Sequence, residues 1–234
     1  MIMAYYQNRG GLFSNLPAAT KNILIINIFM FILWLIRPSF MESAFALYYP
    51  TSANFHPWQF ITYMFMHGGW AHIFFNMFAL VMFGSQLESV WGSKKFLVFF
   101  FVTGIGAALL HTGVQWLQIE HFTRILEEGG VAASKAAQSI VMIRNIPTVG
   151  ASGAIYGMLI GYAMLFPDSR LTLIFPPITL SAKWWVVIWV VMEILLGVNG
   201  RDGVAHFAHL GGMLFGYLLI KYWKDKGRMY DYED

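Results

Sequence analysis

Three short stretches combine imidazole, carboxamide or hydroxyl side chains with glycine inside strongly apolar sequence. They are MHGGWAHIFFNM at 66–77, GASGAIYG at 150–157 and AHFAHLGGMLFG at 205–216. Such groups are costly in hydrocarbon unless they face protein or water. Three clusters of this kind in one apolar chain therefore predict a shared polar site.

Ser152 and His209 supply the two groups that amide hydrolysis needs first, a nucleophile and a base. His209 shares a helix face with Gly212 and Gly216, and that face favours it over His206, which lies one turn earlier and could act instead. No aspartate or glutamate is obviously placed to orient the imidazole. The residues therefore predict a Ser–His dyad rather than a triad.

His72 and Asn76 are the candidate donors for the oxyanion. They stand four residues apart on a helix that is predicted to begin near Trp70, after two glycines, so they share one face. The Ser152 backbone N–H could complete the set. His67 precedes the helix and is interpreted as tying the loop backbone to it, or as folding over the entrance.

The glycines around Ser152 have a packing interpretation. Gly153, Gly157 and Gly161 repeat every four residues, a stripe that lets a neighbouring helix come close. Gly150 and Gly153 would also let a substrate backbone approach the serine. Tyr156, one turn after Ser152, could hold the imidazole by stacking or by a hydrogen bond.

Other chemistries are disfavoured. The chain has no cysteine, no H-E-x-x-H and no G-x-G-D motif, and the pair at 72 and 76 lacks a nearby carboxylate to complete a metal site. We expect no metal and no cofactor. The net charge of +3 fits basic loops of a membrane protein, and no nucleic-acid partner is expected.

Composition predicts the elements that must position these residues. Of 234 residues, 58% are hydrophobic and 12% are charged, which is typical of an all-α polytopic membrane protein. Six spans are predicted, at about 20–36, 70–87, 95–117, 152–166, 180–198 and 204–223. The fourth covers only about 22 Å, so one end must stop inside the protein, and Ser152 lies at an end of it.

Basic residues predict the orientation of this six-helix domain, residues 20–223. The predicted inner segments hold Arg9, Lys21, Lys94, Lys95, Arg170, Lys183, Lys221, Lys224, Lys226 and Arg228; the outer ones hold Arg37, Arg124, Lys135, Arg144 and Arg201. The short tails at 1–19 and 224–234 are then cytoplasmic, and the site opens outward. The long outer connection at 118–150 contains VAASKAAQSIVMIRN, which could form an interfacial helix.

The three clusters, in this order on the second, fourth and sixth spans, resemble the rhomboid family of intramembrane serine proteases. The segments HPWQFITYMFMH at 56–67 and LESVWGSKKFL at 87–97 are also similar to rhomboid sequence. The resemblance implies a six-helix bundle whose short fourth helix carries the nucleophile, in a bacterial inner membrane. It also implies substrates that are single-span membrane proteins, cut in or near the lipid bilayer, and no cofactor.

The resemblance implies a role for each matching residue. Ser152 and His209 would form the dyad, and His72 and Asn76 the oxyanion site. His67 would support them, and Tyr156 would pack against the catalytic histidine.

Three further polar residues raise separate questions. Gln59 stands where many rhomboids have arginine, so the sequence does not say how the first outer loop is anchored. Glu88, at the inner end of the second span, is predicted to be structural. Glu193 lies within the fifth span, where a lone carboxylate is expensive. It is interpreted as a protein-facing, protonated or hydrogen-bonded residue, with gating of substrate access as the alternative.

Two other functions stay open at this point. A rhomboid-like protein that binds transmembrane helices without cutting them usually lacks the serine or the histidine, and both are present here. A small transporter would need polar groups at both membrane faces, whereas these clusters gather at one.

Overall fold

The chain is dominated by helices. The computed structural model describes residues 16–173, 176–199 and 205–230. The helices are α1 (Ala18–Ile36), α2 (Pro38–Phe45), α3 (Gln59–Thr62), α4 (Trp70–Ala79), α5 (Ser85–Glu128), α6 (Val131–Asn145), α7 (Ser152–Leu165), α8 (Ala182–Asn199) and α9 (His206–Asp225). A 3-10 turn at Tyr63–Phe65 follows α3, and a π-helical turn at Leu80–Gly84 joins α4 to α5.

Predicted and observed helix limits agree where a glycine breaks the chain. The helix expected near Trp70 begins at that residue, and the fourth apolar segment begins at Ser152 and ends at Leu165. Within the described ranges, two helical stretches, Ala18–Ile36 and Trp70–Glu128, are long and apolar enough to cross a membrane, and Ser152–Leu165 is a shorter apolar helix. The predicted start of the last span at 204, most of the tail at 1–19 and the end at 231–234 lie outside the described residues.

The linker predicted between the second and third spans is helical. Trp70–Glu128 forms one run in which Gly92 alone departs from helical backbone, with φ 75° and ψ 164°. Only glycine adopts this conformation readily, so the change of direction is concentrated at one residue instead of a loop. The separate segments predicted at 70–87 and 95–117 are therefore shorter than the observed helix on both sides of the bend.

The long connection at 118–150 is a helical hairpin. Helix α5 continues to Glu128, two glycines with φ 77° reverse the chain, and α6 returns along α5. On α6, Ile140 is buried in a small cluster with Ile119 of α5 and Tyr49 of the first loop. The predicted helix in this connection is confirmed, although the third helix is longer than hydropathy indicated.

The segment between α2 and α3 is held by contacts that the sequence did not reveal. Gln59 is fully buried, and its carbonyl oxygen accepts from the backbone N–H of His56 at 3.1 Å and of Tyr48 at 3.4 Å. Its amide donates to the carbonyls of Ser43 at 3.1 Å and Asn54 at 2.8 Å. The amide thus anchors the loop through both donors and acceptors, a combination that arginine, which only donates, does not offer.

Glu88 has the structural role that the sequence predicted. It is 3% exposed, and its carboxylate accepts from the backbone N–H groups of Ala19 and Thr20 at 2.8 and 2.7 Å, at the start of α1. Ser93 donates to the same group at 2.6 Å. A carboxylate at a helix N-terminus satisfies unpaired N–H groups and complements the helix dipole.

Glycines bring α5, α7 and α9 into backbone contact. A Cβ at Gly212 of α9 would lie 1.8 Å from the carbonyl oxygen of Gly153 on α7. The α7 stripe itself faces α5, because a Cβ at Gly153 would meet Ala107 at 2.5 Å and one at Gly157 would meet Thr103 at 2.6 Å. The predicted close approach of the last helix to α7 therefore depends on the glycines of α9, while those of α7 admit α5.

A two-stranded sheet connects α7 to α8. β1 (Arg170–Thr172) pairs antiparallel with β2 (Thr179–Ser181), with Arg170 opposite Ser181. No strand was predicted here from the sequence. It lies at the opposite end of α7 from Ser152, so it does not contribute to the polar site.

Candidate active site

Three helices begin where the three polar clusters meet. Ser152 is the first residue of α7, and His206 and His209 are in the first turn of α9. His72 is in the first turn of α4. Glycine lies next to Ser152 and just before Trp70, so the chain can turn sharply into each helix there.

Ser152 and His209 are within hydrogen-bonding distance. The Oγ atom of Ser152 lies 2.8 Å from Nε2 of His209. The other candidate base, His206, directs its Nδ1 to Glu193 instead, at 2.6 Å. The structure thus brings together the pair favoured by the shared glycine face.

Tyr156 stacks on the His209 ring. The ring centroids are 4.1 Å apart and the planes differ by 6°. The side chain of His209 is only 10% exposed. The expected contact between Tyr156 and the histidine is confirmed as stacking, which limits rotation of the imidazole.

The expectation that no carboxylate orients the histidine was wrong. Oε1 of Glu193 lies 3.0 Å from Nδ1 of His209, while Oε2 contacts His206. The Tyr156 hydroxyl also interacts with this carboxylate. Glu193 is 6% exposed and hydrogen-bonded, as its preferred interpretation predicted.

Helix packing explains why the sequence could not reveal this pairing. Glu193 and His209 are 16 residues apart on different helices, and no periodicity relates them. Gly197, one turn after Glu193, allows the approach, because a Cβ there would lie 3.1 Å from Cβ of His206. The only signal in the sequence was a lone carboxylate in an apolar helix.

His72 presents an N–H toward Ser152. The Gly68 N–H donates to Nδ1 of His72 in a long hydrogen bond of 3.4 Å, so the neutral ring carries its proton on Nε2. A Cβ at Gly150 would lie 2.8 Å from that Nε2 and 3.4 Å from Ser152 Oγ. Gly150 has φ 131°, and the absence of its side chain leaves open the space between the two groups.

Asn76 lies one turn further along α4 and is buried. Its Nδ2 donates to the His72 carbonyl at 2.8 Å. An amide nitrogen has two N–H bonds, so a second donor is present at this position. The structure places Asn76 beside His72, as their spacing predicted.

His67 packs against His72. It is 1% exposed, and the two rings meet edge-on with centroids 5.0 Å apart. Neither ring nitrogen makes a regular hydrogen bond within the described residues. Burial, together with the nearby His72, lowers the pKa of His67 to about 3. The ring is therefore neutral near pH 7, and it supports His72 through contact.

A cavity of about 680 Å³ reaches this group of residues. The hairpin formed by α5 and α6 walls one side of it, through Gln118 and Met142 among others, and the segment before α7 walls another. Thr148 in that segment hydrogen-bonds to His111 of α5 at 3.1 Å. Neither residue was predicted to belong to the site.

Among the residues that the structure describes, one group of side chains has a composition that could hold a metal ion. The ligand atoms of Glu193, His206 and His209 all lie within 4.8 Å of one another. Tetrahedral zinc ligands would be separated by about 3.3 Å, whereas Glu193 approaches His206 to 2.6 Å, a hydrogen-bond distance. Hydrogen bonding accounts for the arrangement, and the expectation of no metal stays a prediction.

Comparison with known proteins identifies the class to which this helical fold and its serine–histidine site belong. A family model described as the rhomboid domain matches residues 54–224, which is most of the chain. The chain therefore belongs to the rhomboid family.

Named relatives extend this result. The chain is 27% identical over 217 residues to "Rhomboid protease AarA" of Providencia stuartii, covering 86% of this chain and 71% of that protein. It is 30% identical over 188 residues to chloroplastic Rhomboid-like protein 11 of Arabidopsis thaliana, covering 71% and 53%. It is 26% identical over 213 residues to the human mitochondrial presenilin-associated rhomboid-like protein, covering 87% and 49%. The chain thus spans about half the length of the last two, and its relatives support an intramembrane protease.

Proposed function

We propose that this protein is an intramembrane serine endopeptidase that cleaves transmembrane segments of other membrane proteins. The observation that carries the proposal is the 2.8 Å contact between Ser152 Oγ and His209 Nε2 at the start of α7. A serine hydroxyl within hydrogen-bonding distance of an imidazole base is the arrangement that activates serine as a nucleophile. Membership of the rhomboid family supports the same reaction.

The reaction follows from these two groups. As Ser152 Oγ attacks the scissile carbonyl carbon, its proton passes to Nε2 of His209. The imidazolium then gives this proton to the leaving nitrogen, the C–N bond breaks, and an acyl-enzyme forms. His209 next takes a proton from water, whose oxygen attacks the ester carbonyl carbon. The imidazolium returns this proton to Ser152 Oγ as the ester C–O bond breaks, which restores the serine and releases the new carboxyl end.

Three donors are available to stabilise the charge on the oxyanion. His72 offers its Nε2–H, Asn76 an amide N–H, and Ser152 its backbone N–H. The Ser152 N–H lies in the first turn of α7, where no carbonyl of the same helix can accept it, and the positive end of the helix dipole adds to its effect. Gly153 has no side chain, so it leaves space beside these donors at the start of α7.

The proposed setting is a six-span bundle in a bacterial inner membrane, with both tails cytoplasmic and the cavity opening outward. Residues 20–223 would form the membrane domain. We propose single-span proteins as substrates, with small residues before the cut and helix-weakening residues after it, because an extended backbone must reach Ser152. Lipid is the surrounding solvent, and the reaction needs no cofactor.

Cleavage of a reporter transmembrane substrate by purified protein tests this function. Ser152→Ala and His209→Ala are expected to abolish cleavage while leaving thermal stability near that of the wild type. Ser89→Ala is the matched control, since Ser89 is exposed on α5 and its hydroxyl donates to the Ser85 carbonyl of the same helix at 2.7 Å. Equal cleavage by Ser152→Ala and wild type would contradict the proposal, and cleavage by neither would favour a non-catalytic binder.

A further inference from the structure

We propose that Glu193 is a positioning residue that converts the Ser152–His209 pair into a Ser–His–Glu triad. This inference rests on the proposed function and adds a component that the sequence did not indicate. Glu193 does not contact the scissile bond. It acts through Nδ1 of His209, at 3.0 Å, on the side of the ring opposite Ser152.

The two contacts of His209 select one tautomer. A carboxylate can only accept, so the 3.0 Å contact requires a proton on Nδ1 of His209. Nε2 of the neutral ring then has a free lone pair directed at the Ser152 hydroxyl, 2.8 Å away. This is the form in which histidine can remove the serine proton.

Glu193 also compensates the charge that forms during the reaction. When His209 takes the serine proton, the ring becomes cationic in a setting where Glu193 is 6% exposed and His209 8% exposed. An ionised carboxylate in hydrogen-bond contact stabilises that cation more in a buried site than in water. Glu193 keeps its negative charge throughout and receives no proton.

Donors around the carboxylate keep it ionised. His206 contacts Oε2 at 2.6 Å, His209 contacts Oε1, and the Tyr156 hydroxyl interacts with the same group. A buried carboxylate with several donors retains its charge despite desolvation. These contacts come from α9 and α7, so the packing of three helices fixes the position of Glu193.

Each helix packed around His209 brings a group that affects its protonation. Glu193 faces it from α8, and Tyr156 and Ser152 from α7. His206 precedes it on α9 with ring centroids 6.2 Å apart. The remaining groups interact with it electrostatically from α4 and α5, namely His72 and His111. Among these, Glu193 is the anion.

The test compares Glu193→Gln with wild type in kcat, KM and the pH dependence of kcat. Glutamine keeps the size of the side chain but can donate to Nδ1, which would place the His209 proton on Nε2 and block the base. Replacing the carboxylate of a complete triad by an amide lowers kcat about 10⁴-fold. Stacking by Tyr156 also holds the ring here, so we expect a loss of about 100-fold or more, with KM changed by less than about threefold.

The pH profile separates positioning from simple folding support. Glu193→Gln removes the anion in contact with Nδ1 of His209, so the acid limb of kcat should move to lower pH than in the wild type. Glu193→Asp keeps the charge and is expected to retain more activity than Glu193→Gln. Glu88→Gln is the matched control, because Glu88 is also a buried carboxylate with three hydrogen bonds, but it lies in the first turn of α5 and binds the start of α1 instead of the site. Glu88→Gln should lower the melting temperature without moving the acid limb of kcat.

The outcomes distinguish this inference from the proposed function. If Glu193→Gln keeps kcat within threefold of wild type while Ser152→Ala is inactive, the dyad stands and the triad is overturned. An acid limb unchanged in Glu193→Gln, or activity losses in Glu193→Gln and Glu88→Gln that match their losses of folded protein, also overturns it. Cleavage by Ser152→Ala at the wild-type rate would overturn the proposed function and the triad together.

Discussion

His209 is held on three sides, by Ser152, by Glu193 and by the face of Tyr156. The contacts are of different kinds, since two are hydrogen bonds in the plane of the ring and one is stacking on its face. Stacking fixes the tilt of the imidazole, and the hydrogen bonds fix its rotation and tautomer. Substitutions that separate these effects can therefore be chosen at Tyr156.

Removal of the stacking contact should weaken catalysis moderately. Stacked aromatic pairs contribute about 0.5–1.5 kcal/mol beyond area burial, which corresponds to as much as about tenfold in rate. We expect Tyr156→Leu to lower kcat about tenfold and Tyr156→Phe, which keeps the ring, to lower it less than Tyr156→Leu. Steady-state kinetics on a reporter substrate measures both, and equal losses in the two variants would show that the hydroxyl, not the stack, matters.

His67 should make the fold sensitive to acid. Its pKa is about 3 in the folded protein, below the ordinary value of about 6.5 of the unfolded chain, so unfolding takes up a proton between these values. Its contribution to stability is complete above about pH 6.5 and declines as the pH falls toward 3. His67→Leu should therefore lose less melting temperature than wild type between pH 7 and pH 4.5 in detergent.

His121 provides the comparison for this experiment, because it is exposed on α5. His121→Leu should follow the wild-type melting curve at each pH. If His67→Leu shows the same acid sensitivity as wild type, burial of the neutral ring is not its cause.

At the scale of the elements, the contact between α7 and α9 determines the distance between nucleophile and base. Gly212→Ala would place a Cβ 1.8 Å from the Gly153 carbonyl oxygen, so α9 must move away from α7. Overpacking of this kind costs about 1–3 kcal/mol. We expect a lower melting temperature and a loss of activity larger than the loss of folded protein, since Ser152 and His209 separate.

Gly113→Ala is the control for that substitution. Gly113 lies on α5, and a Cβ built there has no described atom within 4 Å apart from its chain neighbours and the backbone of its own helix. Its melting temperature and activity should stay at wild-type values. Activity in Gly212→Ala equal to that in Gly113→Ala would contradict the proposed role of the close contact.

The elements also show what sequence can and cannot predict. The starts at Trp70 and Ser152 were predictable because glycines at 69 and 150 act locally. The end of α5 at Glu128 was not, because hydropathy falls after residue 117 while the helix continues through polar sequence. Hydropathy indicates where an apolar environment ends, whereas the helix itself can continue beyond that point because it depends on helix propensity.

The residues of the site can likewise be divided into those that could be predicted from the sequence and those that could not. Ser152, His209, His72 and Asn76 could be selected because polar groups in apolar helices are conspicuous and because the pattern resembles a family. The partner of Glu193 could not be selected, since it depends on how α8 packs on α9. Gln59 is a similar case, because four separate backbone groups converge on it only after folding.

At the scale of the whole molecule, the proposed orientation predicts which parts can be labelled from each side. The chain has no cysteine, so single cysteines can be introduced without other changes. Glu127→Cys, exposed near the tip of the α5–α6 hairpin, should react with a membrane-impermeant maleimide on intact cells. Lys224→Cys, exposed near the end of α9, should react only after permeabilisation. The reverse pattern would contradict the orientation.

The most direct test of the central claim is covalent labelling of the purified protein by a fluorophosphonate, read by peptide mass spectrometry. The proposed chemistry predicts a single adduct on Ser152, because only this hydroxyl has His209 as a base at 2.8 Å. The adduct should be absent in Ser152→Ala and strongly reduced in His209→Ala. An unlabelled Ser152 in protein that cleaves the reporter, or an adduct on another residue that tracks activity, would contradict the account.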